Sequence, residues 1–86
     1  MSKVEIYFSN WCPFCHRAKR LLQSKGVGIE ELDVDADPAL RHEMTQRSGG
    51  RRTVPQIFID DHHVGGSDEL AALDREGRLN GMLRSD

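Results

Sequence analysis

Two cysteines separated by two residues are the side chains of this sequence most able to do chemistry. Cys12 and Cys15 are the only cysteines of the chain, and they enclose Pro13 and Phe14. Thiols at this spacing either exchange disulfides with other thiols or supply half of a four-ligand metal site. The position of the pair helps to decide between these two roles, because a strand is predicted before it and a helix after it.

We expect Cys12 to lie at or just before the N-terminus of that helix, since Pro13 suits the first helical position. A helix N-terminus favours negative charge and therefore a thiolate at Cys12. Cys15 falls one turn inside, on the face of Ala18 and Leu22, and is expected to be buried. An exposed, activated sulfur with a sheltered one behind it suits thiol–disulfide exchange, in which the first attacks and the second resolves.

A metal site is the main alternative for the cysteine pair. A zinc site would need a second pair of ligands, and His62 with His63 is the only candidate pair. Adjacent residues of a strand project to opposite faces, which makes these histidines a poor pair of ligands. Redox chemistry is therefore the preferred interpretation, with a metal site or an inert pair as the alternatives.

The apolar spacing predicts the element order β-α-β-α-β-β-α-α. The predicted strands are residues 3–8, 29–34, 56–60 and 63–64, and a turn over residues 60–63 is predicted between the last two. The predicted helices are 13–25, 38–48, 67–76 and 79–83. The first βαβ unit must be parallel, whereas the last two strands form an antiparallel hairpin. The sequence thus predicts an α/β fold with a four-stranded mixed sheet in one domain, residues 1–86.

Length and composition exclude several classes of protein. The chain has 86 residues, of which 37% are hydrophobic and 30% charged, as in a small soluble globular domain. A net charge of −2 is unlike that of a generally basic nucleic-acid-binding protein. No apolar run reaches the roughly 18 residues of a membrane span, and residues 1–15 lack the pattern of a secretory signal. We expect a cytoplasmic protein that binds neither nucleic acid nor membrane.

The charges are unevenly distributed along the chain. Residues 27–40 contain five acidic residues and no basic one, and they separate the basic segments 1–26 and 41–52. If the two basic segments meet in space, they create a local field that attracts a small anion.

Three motifs resemble those of bacterial dithiol glutaredoxins: Cys12-Pro13-Phe14-Cys15, Thr53-Val54-Pro55 and Gly65-Gly66-Ser67-Asp68. The resemblance covers essentially the whole chain. It implies a thioredoxin-like fold in which Cys12 is the nucleophile, Cys15 is the resolving thiol, and Pro55 is cis and faces the dithiol. The Val54 backbone would then pair with an extended substrate as an added strand does.

The resemblance also implies a function. The protein would be a glutathione-dependent thiol–disulfide oxidoreductase that reduces protein disulfides and protein–glutathione mixed disulfides. Glutathione would be its cosubstrate, with no metal and no tightly bound cofactor, and the enzyme would act as a monomer.

The third motif has the chemistry needed to bind the α-amino acid end of glutathione. Gly65 and Gly66 let a ligand approach the backbone, and the N–H groups that begin the next helix can bind a carboxylate. The Asp68 carboxylate can accept from the ammonium group. Ser67 or Asp68 is also expected to be the N-cap of this helix.

The chain departs from the resembled family at several positions. Ser9 stands where a lysine is common, and Phe14 replaces the commoner tyrosine, either lining the site or joining the core. Arg51 or Arg52 is the candidate cation for the glycine carboxylate of glutathione. The expected glutathione contacts are Phe14, Arg51, Arg52, Thr53, Val54, Pro55, Gly66, Ser67 and Asp68.

Two other functions are compatible with the sequence. One is an enzyme of the same type that is reduced by a thioredoxin reductase instead of glutathione. The other is a carrier that holds an iron–sulfur cluster between two chains, with Cys12 and glutathione as ligands. The four histidines (His16, His42, His62 and His63) are expected at the surface, His16 also as a possible helix-capping residue.

Overall fold

The computed structural model describes residues 2–83 as eight elements in the predicted order. The strands are β1 (Val4–Phe8), β2 (Glu30–Asp33), β3 (Gln56–Ile59) and β4 (His62–Gly65), and the helices are α1 (Pro13–Ser24), α2 (Pro38–Arg47), α3 (Ser67–Arg75) and α4 (Leu79–Leu83). The turn between β3 and β4 is shorter than predicted. Asp60 and Asp61 adopt φ values of 51° and 67°, as in the two-residue turns of hairpins, so His62 is already in the strand.

The four strands form one mixed sheet in the order β2-β1-β3-β4. β1 pairs in parallel with β2 and antiparallel with β3, and β3 and β4 form the predicted antiparallel hairpin. Within residues 2–83, no helix is long and apolar enough to cross a membrane.

Helices cover both faces of the sheet, so β1 is buried along its whole length. Val4, Ile6 and Phe8 belong to one apolar cluster, together with residues of α1 and α3. Tyr7 belongs to the opposite cluster, which contains Met44 of α2. The predicted alternation of β1 is therefore present, but its polar positions face a second buried layer and not solvent.

The polar residues of β1 are satisfied by charged partners from α2. Arg47 donates to both carboxylate oxygens of Glu5, at 3.1 and 3.0 Å, and to the Tyr7 hydroxyl at 2.7 Å. The Tyr7 hydroxyl in turn donates to Glu43. Burial, followed by the hydrogen bond to Glu43, raises the pKa of Tyr7 to about 12.

The start and the end of α1 agree with the predictions. Pro13 is its first residue, and Gly26 adopts φ +74° just beyond its last turn. A positive φ is easy for glycine, which explains why the helix ends there. Four residues separate the end of β1 from the start of α1, so Cys12 lies just beyond the carboxyl end of an inner strand of the sheet.

Candidate active site

Cys12 is the N-cap residue of α1, as predicted. Its backbone is extended, and its sulfur accepts a hydrogen bond from the N–H of Cys15 at 3.3 Å. A sulfur in this position takes the place of the oxygen that usually caps a helix, and it satisfies one of the N–H groups left without a partner in the first turn. The same N–H groups stabilise negative charge on the sulfur.

The two cysteines differ less in exposure than the sequence suggested. Cys12 is 7% exposed and Cys15 is fully buried, so the prediction of an exposed Cys12 is wrong. The cause is the segment before β3, whose Val54 carbonyl accepts from the Cys12 thiol at 3.7 Å. Both residues are free thiols.

The surroundings of Cys15 keep its thiol protonated. Burial raises the pKa of Cys15 to about 12, and its hydrogen bond with Cys12 acts in the same direction. Lys19 opposes this shift through its positive charge, but its effect is smaller. At neutral pH Cys15 therefore keeps its proton.

The loop that faces Cys12 contains the cis peptide bond between Val54 and Pro55. Gln56, which is fully buried, holds this loop from behind. Its side-chain amide donates to the carbonyl of Thr53 at 3.0 Å and to the Thr53 hydroxyl at 3.3 Å. Sequence analysis did not single out Gln56, and its only signal was a polar residue at the start of an apolar strand.

His63 completes this support, so the prediction that it lies at the surface is wrong. It is half-buried, and its Nε2–H donates to the side-chain oxygen of Gln56 at 2.7 Å. Its ring also lies 5.0 Å from the ring of Phe58. Burial, followed by the charge of Arg51, lowers the pKa of His63 below its ordinary value. The neutral ring with its proton on Nε2 is thus the form that supports the loop.

A groove of about 140 Å³ extends along this loop. It contains eight of the nine predicted glutathione contacts, together with one residue that was not predicted, Glu69. The predicted residues that line it are Phe14, Arg51, Thr53, Val54, Pro55, Gly66, Ser67 and Asp68. Phe14 is 52% exposed, which settles its place at the site and not in the core.

Gly66 and Glu69 form the N-terminus of α3, so the prediction that Ser67 or Asp68 caps this helix is wrong. Gly66 is the N-cap, and its N–H donates to Glu69 Oε1 at 2.7 Å. This hydrogen bond, followed by the one from Arg51, lowers the pKa of Glu69. The glycine-x-x-glutamate spacing is the signal that could have identified this cap from the sequence.

The two candidate arginines point to different places. Arg51 lines the groove, and its Nη1 donates to Glu69 Oε1 at 3.1 Å. A Cβ at Gly65 would lie 2.5 Å from Glu69 Oε1 and 3.2 Å from Arg51 Nη1, so this ion pair lies against the glycine backbone. Arg52 lies outside the groove, in a depression that it shares with Arg41.

Ser9 occupies the position at which the resembled family commonly has a lysine. It is fully buried, and its carbonyl accepts from the N–H of Cys12 at 3.2 Å. Its hydroxyl donates to Asp35, which also accepts from Trp11 Nε1 at 3.2 Å and from Arg41 at 3.3 Å. The Ser9 hydrogen bond is the main cause of a lowered pKa at Asp35. Position 9 therefore anchors the loop that carries Cys12.

The acidic segment 27–40 lies between the two basic segments and pairs with both. Glu31 forms an ion pair with Lys19 at 2.8 Å, and Asp35 forms one with Arg41 at 3.3 Å. These pairs neutralise part of the positive field that the charge pattern suggested. Arg51 is the cation that lines the groove, and it forms an ion pair with Glu69.

The histidines provide no second half of a metal site. His62 is exposed, and the Nε2 of His63 is occupied by Gln56. Across residues 2–83, no group of three or more His, Cys, Asp or Glu side chains could hold a metal ion.

Comparison with known proteins relates this geometry to a family. The sequence model of the glutaredoxin family matches residues 4–64. Glutaredoxin 3 of Escherichia coli strain K12 is 57% identical over 84 residues, which are 98% of this chain and the whole of that protein. The chain belongs to the glutaredoxin family. The glutaredoxin of Pseudomonas aeruginosa strain PAO1 is 51% identical over 83 residues, 96% of this chain and 98% of that protein.

Solved glutaredoxin structures agree with the fold. The glutaredoxin of Brucella melitensis is 53% identical with a TM-score of 0.81, over 94% of this chain and 87% of that one. Buckwheat glutaredoxin, solved as a complex with glutathione, is 29% identical with a TM-score of 0.86, over 95% of this chain and 76% of that one. The predictions of a bacterial-type glutaredoxin and an α/β thioredoxin-like fold are confirmed. This glutaredoxin is a thiol–disulfide oxidoreductase, and Cys12 and Cys15 fit the family's dithiol active site.

Proposed function

We propose that Cys12 is the nucleophile of this glutaredoxin, that Cys15 is the resolving thiol, and that glutathione is the reductant. The observation that carries this assignment is the asymmetry of the pair. The Cys12 sulfur caps a helix and lies 3.7 Å from the carbonyl oxygen of Val54, which lines the groove, whereas the Cys15 thiol is fully buried and stays protonated. The reaction needs no metal and no tightly bound cofactor, because the two sulfurs carry both electrons.

The first reaction removes glutathione from a protein. The Cys12 thiolate attacks the glutathione sulfur of the mixed disulfide, and the protein thiolate leaves and takes up a proton. Cys12 then forms a disulfide with glutathione. A second glutathione thiolate attacks the glutathione sulfur of this intermediate, which releases oxidised glutathione and restores the Cys12 thiolate.

The second reaction reduces a protein disulfide and requires both cysteines. The Cys12 thiolate attacks one sulfur of the substrate, and the resulting mixed disulfide is resolved by Cys15 once that thiol has lost its proton. The products are a Cys12–Cys15 disulfide and a protein dithiol. Two glutathione molecules then reduce the enzyme disulfide and leave as oxidised glutathione.

The groove offers a complementary group to each end of glutathione. The first N–H groups of α3, at Ser67 and Asp68, have no partner inside the helix and can bind the α-carboxylate, with the Asp68 carboxylate next to the ammonium. Arg51 is the cation for the glycine carboxylate. Val54 supplies backbone groups to the central cysteine, whose sulfur must reach Cys12.

We further propose that residues 1–86 form one glutaredoxin domain that acts as a monomer in the cytoplasm. The partners are glutathione and proteins that contain disulfides or glutathionylated cysteines, and not nucleic acids or membranes. Two free thiols are typical of proteins in a reducing compartment. Sedimentation of the reduced protein tests the monomer, since a dimer that persists on dilution would contradict it.

Two serine variants test the assigned roles. Cys12→Ser should abolish both reactions. Cys15→Ser should still remove glutathione from a protein, because glutathione resolves that intermediate, but it should fail on protein disulfides. Equal loss of both reactions in a folded Cys15→Ser protein would contradict the roles. Running each reaction with glutathione and then with thioredoxin reductase as the reductant distinguishes the alternative electron donor.

A further inference from the structure

Trp11 is an exposed aromatic side chain that has no role in the proposed reaction with glutathione. It is 78% exposed and directly precedes Cys12. Its indole N–H donates to Asp35 at 3.2 Å, so the ring is held in place although it packs against little of the protein. Phe14, the other large exposed hydrophobic residue among those described, already lines the glutathione groove. An exposed aromatic ring next to a reactive residue is available to contact a bound protein.

Trp11 borders a second depression, which we call the Trp11 groove, along the outer face of α1. Its volume is about 630 Å³, and its basic side chains are His16, Lys19 and Arg20. No carboxylate is among its lining residues, but Asp35 accepts from Trp11 and Glu31 pairs with Lys19 at its border. Lys19 forms an ion pair with Glu31 and a cation–π contact with the Phe8 ring. Arg20 is exposed and forms no ion pair with any residue of the described part of the chain.

The two grooves flank the same short motif. Trp11 and Pro13, the chain neighbours of Cys12, line the Trp11 groove, and Val54, whose carbonyl accepts from the Cys12 thiol, lines the glutathione groove. If glutathione occupies the glutathione groove, the protein part of the mixed disulfide contacts another part of the surface near Cys12.

We propose that the Trp11 groove binds an acidic segment of the protein substrate, close in sequence to the reacting cysteine. Arg20, whose guanidinium forms no ion pair within residues 2–83, can pair with a carboxylate of the substrate, and the Trp11 ring offers apolar contact to the neighbouring backbone and side chains. The inference rests on the proposed function, because it names the class of protein that the enzyme selects for the same reaction. The exchange of sulfurs is unchanged, and the groove affects only which substrates reach Cys12.

A pair of glutathionylated peptides tests this selectivity. The two peptides have equal length and carry either glutamates or glutamines beside the modified cysteine. At low ionic strength we expect kcat/KM to be about two- to fivefold higher for the glutamate peptide, the range that exposed ion pairs provide. Arg20→Glu should abolish or reverse this ratio. Arg75→Glu, which makes the same change in net charge near the end of α3, should preserve it.

Trp11 also permits a direct measurement of binding, because it is the only tryptophan of the chain. In a Cys12→Ser protein, which cannot react, the glutamate peptide should change the fluorescence of Trp11 and the glutamine peptide should do so only at higher concentration. Salt should weaken the first effect, since the Debye length falls to about 3 Å at 1 M.

Each failure has a separate meaning. Equal kcat/KM for the two peptides, with normal turnover of the small mixed disulfide of glutathione and 2-mercaptoethanol, would overturn the role of the Trp11 groove. An equal loss of preference in Arg20→Glu and Arg75→Glu would also overturn it, because net charge would then be the cause. Failure of the parent enzyme on the small mixed disulfide would instead contradict the proposed function.

Discussion

Replacement of Arg51 should weaken glutathione binding, whereas replacement of its neighbour Arg52 should not. Arg51 lines the groove and Arg52 lies in a different depression, so Arg52→Ala is a matched control for the loss of one positive charge. The Arg51 side chain is 44% exposed. Its attraction for a carboxylate is therefore close to that of a surface ion pair, about 1 kcal/mol at most.

This energy corresponds to about a fivefold change in an equilibrium constant. Arg51→Ala should raise the KM for a small glutathione mixed disulfide by up to that factor at low ionic strength, and kcat should change little. The helix cap at Gly66 should survive, because the Gly66 N–H is bonded to Glu69 and not to Arg51. In Arg51→Ala the carboxylate of Glu69 has lost its ion-pair partner, so it also repels the carboxylate of glutathione.

Steady-state kinetics at two ionic strengths check this reasoning. The Debye length falls from about 30 Å at 0.01 M to about 3 Å at 1 M, so the KM of the parent should approach that of Arg51→Ala as salt is added. Glu69→Gln offers a further comparison, since it frees Arg51 while its amide oxygen can still accept from Gly66. If Arg51→Ala and Arg52→Ala have the same KM at low salt, Arg51 does not bind the carboxylate.

Three further predictions concern the residues that support the site. Arg47→Met leaves the Glu5 side chain, which is 7% exposed, without its main partner and should lower the free energy of unfolding by about 3–5 kcal/mol. Urea denaturation measures this loss, and replacing Glu5 by Met as well should recover most of it. Gln56→Met removes the hydrogen-bond partner of both Thr53 and His63 and should lower the free energy of unfolding by about 1–3 kcal/mol. It should also lower kcat/KM for mixed disulfides, and an unchanged kcat/KM would contradict the role of Gln56 in holding the loop. Because the pKa of His63 is lowered in the folded protein, the unfolded chain binds a proton more readily, so the free energy of unfolding should fall as the pH drops below about 6.5. The change in this free energy with pH should be smaller in His63→Gln. An equal change in both proteins would contradict the lowered pKa of His63.

The parts of the fold that the sequence predicts well are those that local chemistry determines. Pro13 and Gly26 mark the two ends of α1 because their backbone preferences allow little else at those positions. The turn at Asp60 and Asp61 was predicted too long, since nothing local separates a two-residue turn from a four-residue one when both are polar.

The parts that the sequence does not predict depend on distant contacts. Glu5 alternates with apolar residues as a solvent-facing residue would, but α2 covers it and Arg47 pairs with it. Arg51 and Arg52 are adjacent and chemically identical, and only the path of the chain brings one of them to Glu69. The one signal at Gln56, a polar residue at the start of an apolar strand, does not identify its role, because its partners lie on a loop three residues before it and on a second strand seven residues after it.

The serine at position 9 changes which group stabilises negative charge on Cys12. A lysine at this position would place a charge near Cys12, whereas Ser9 is buried and uses its carbonyl to fix the Cys12 backbone. Its hydroxyl instead binds Asp35, and Asp35 fixes the indole of Trp11. The stabilisation of negative charge on Cys12 is left to the helix N-terminus, which any member with this backbone possesses. Arg51 and Trp11, which line two different grooves beside the motif, are the side chains that we propose select glutathione and the protein substrate.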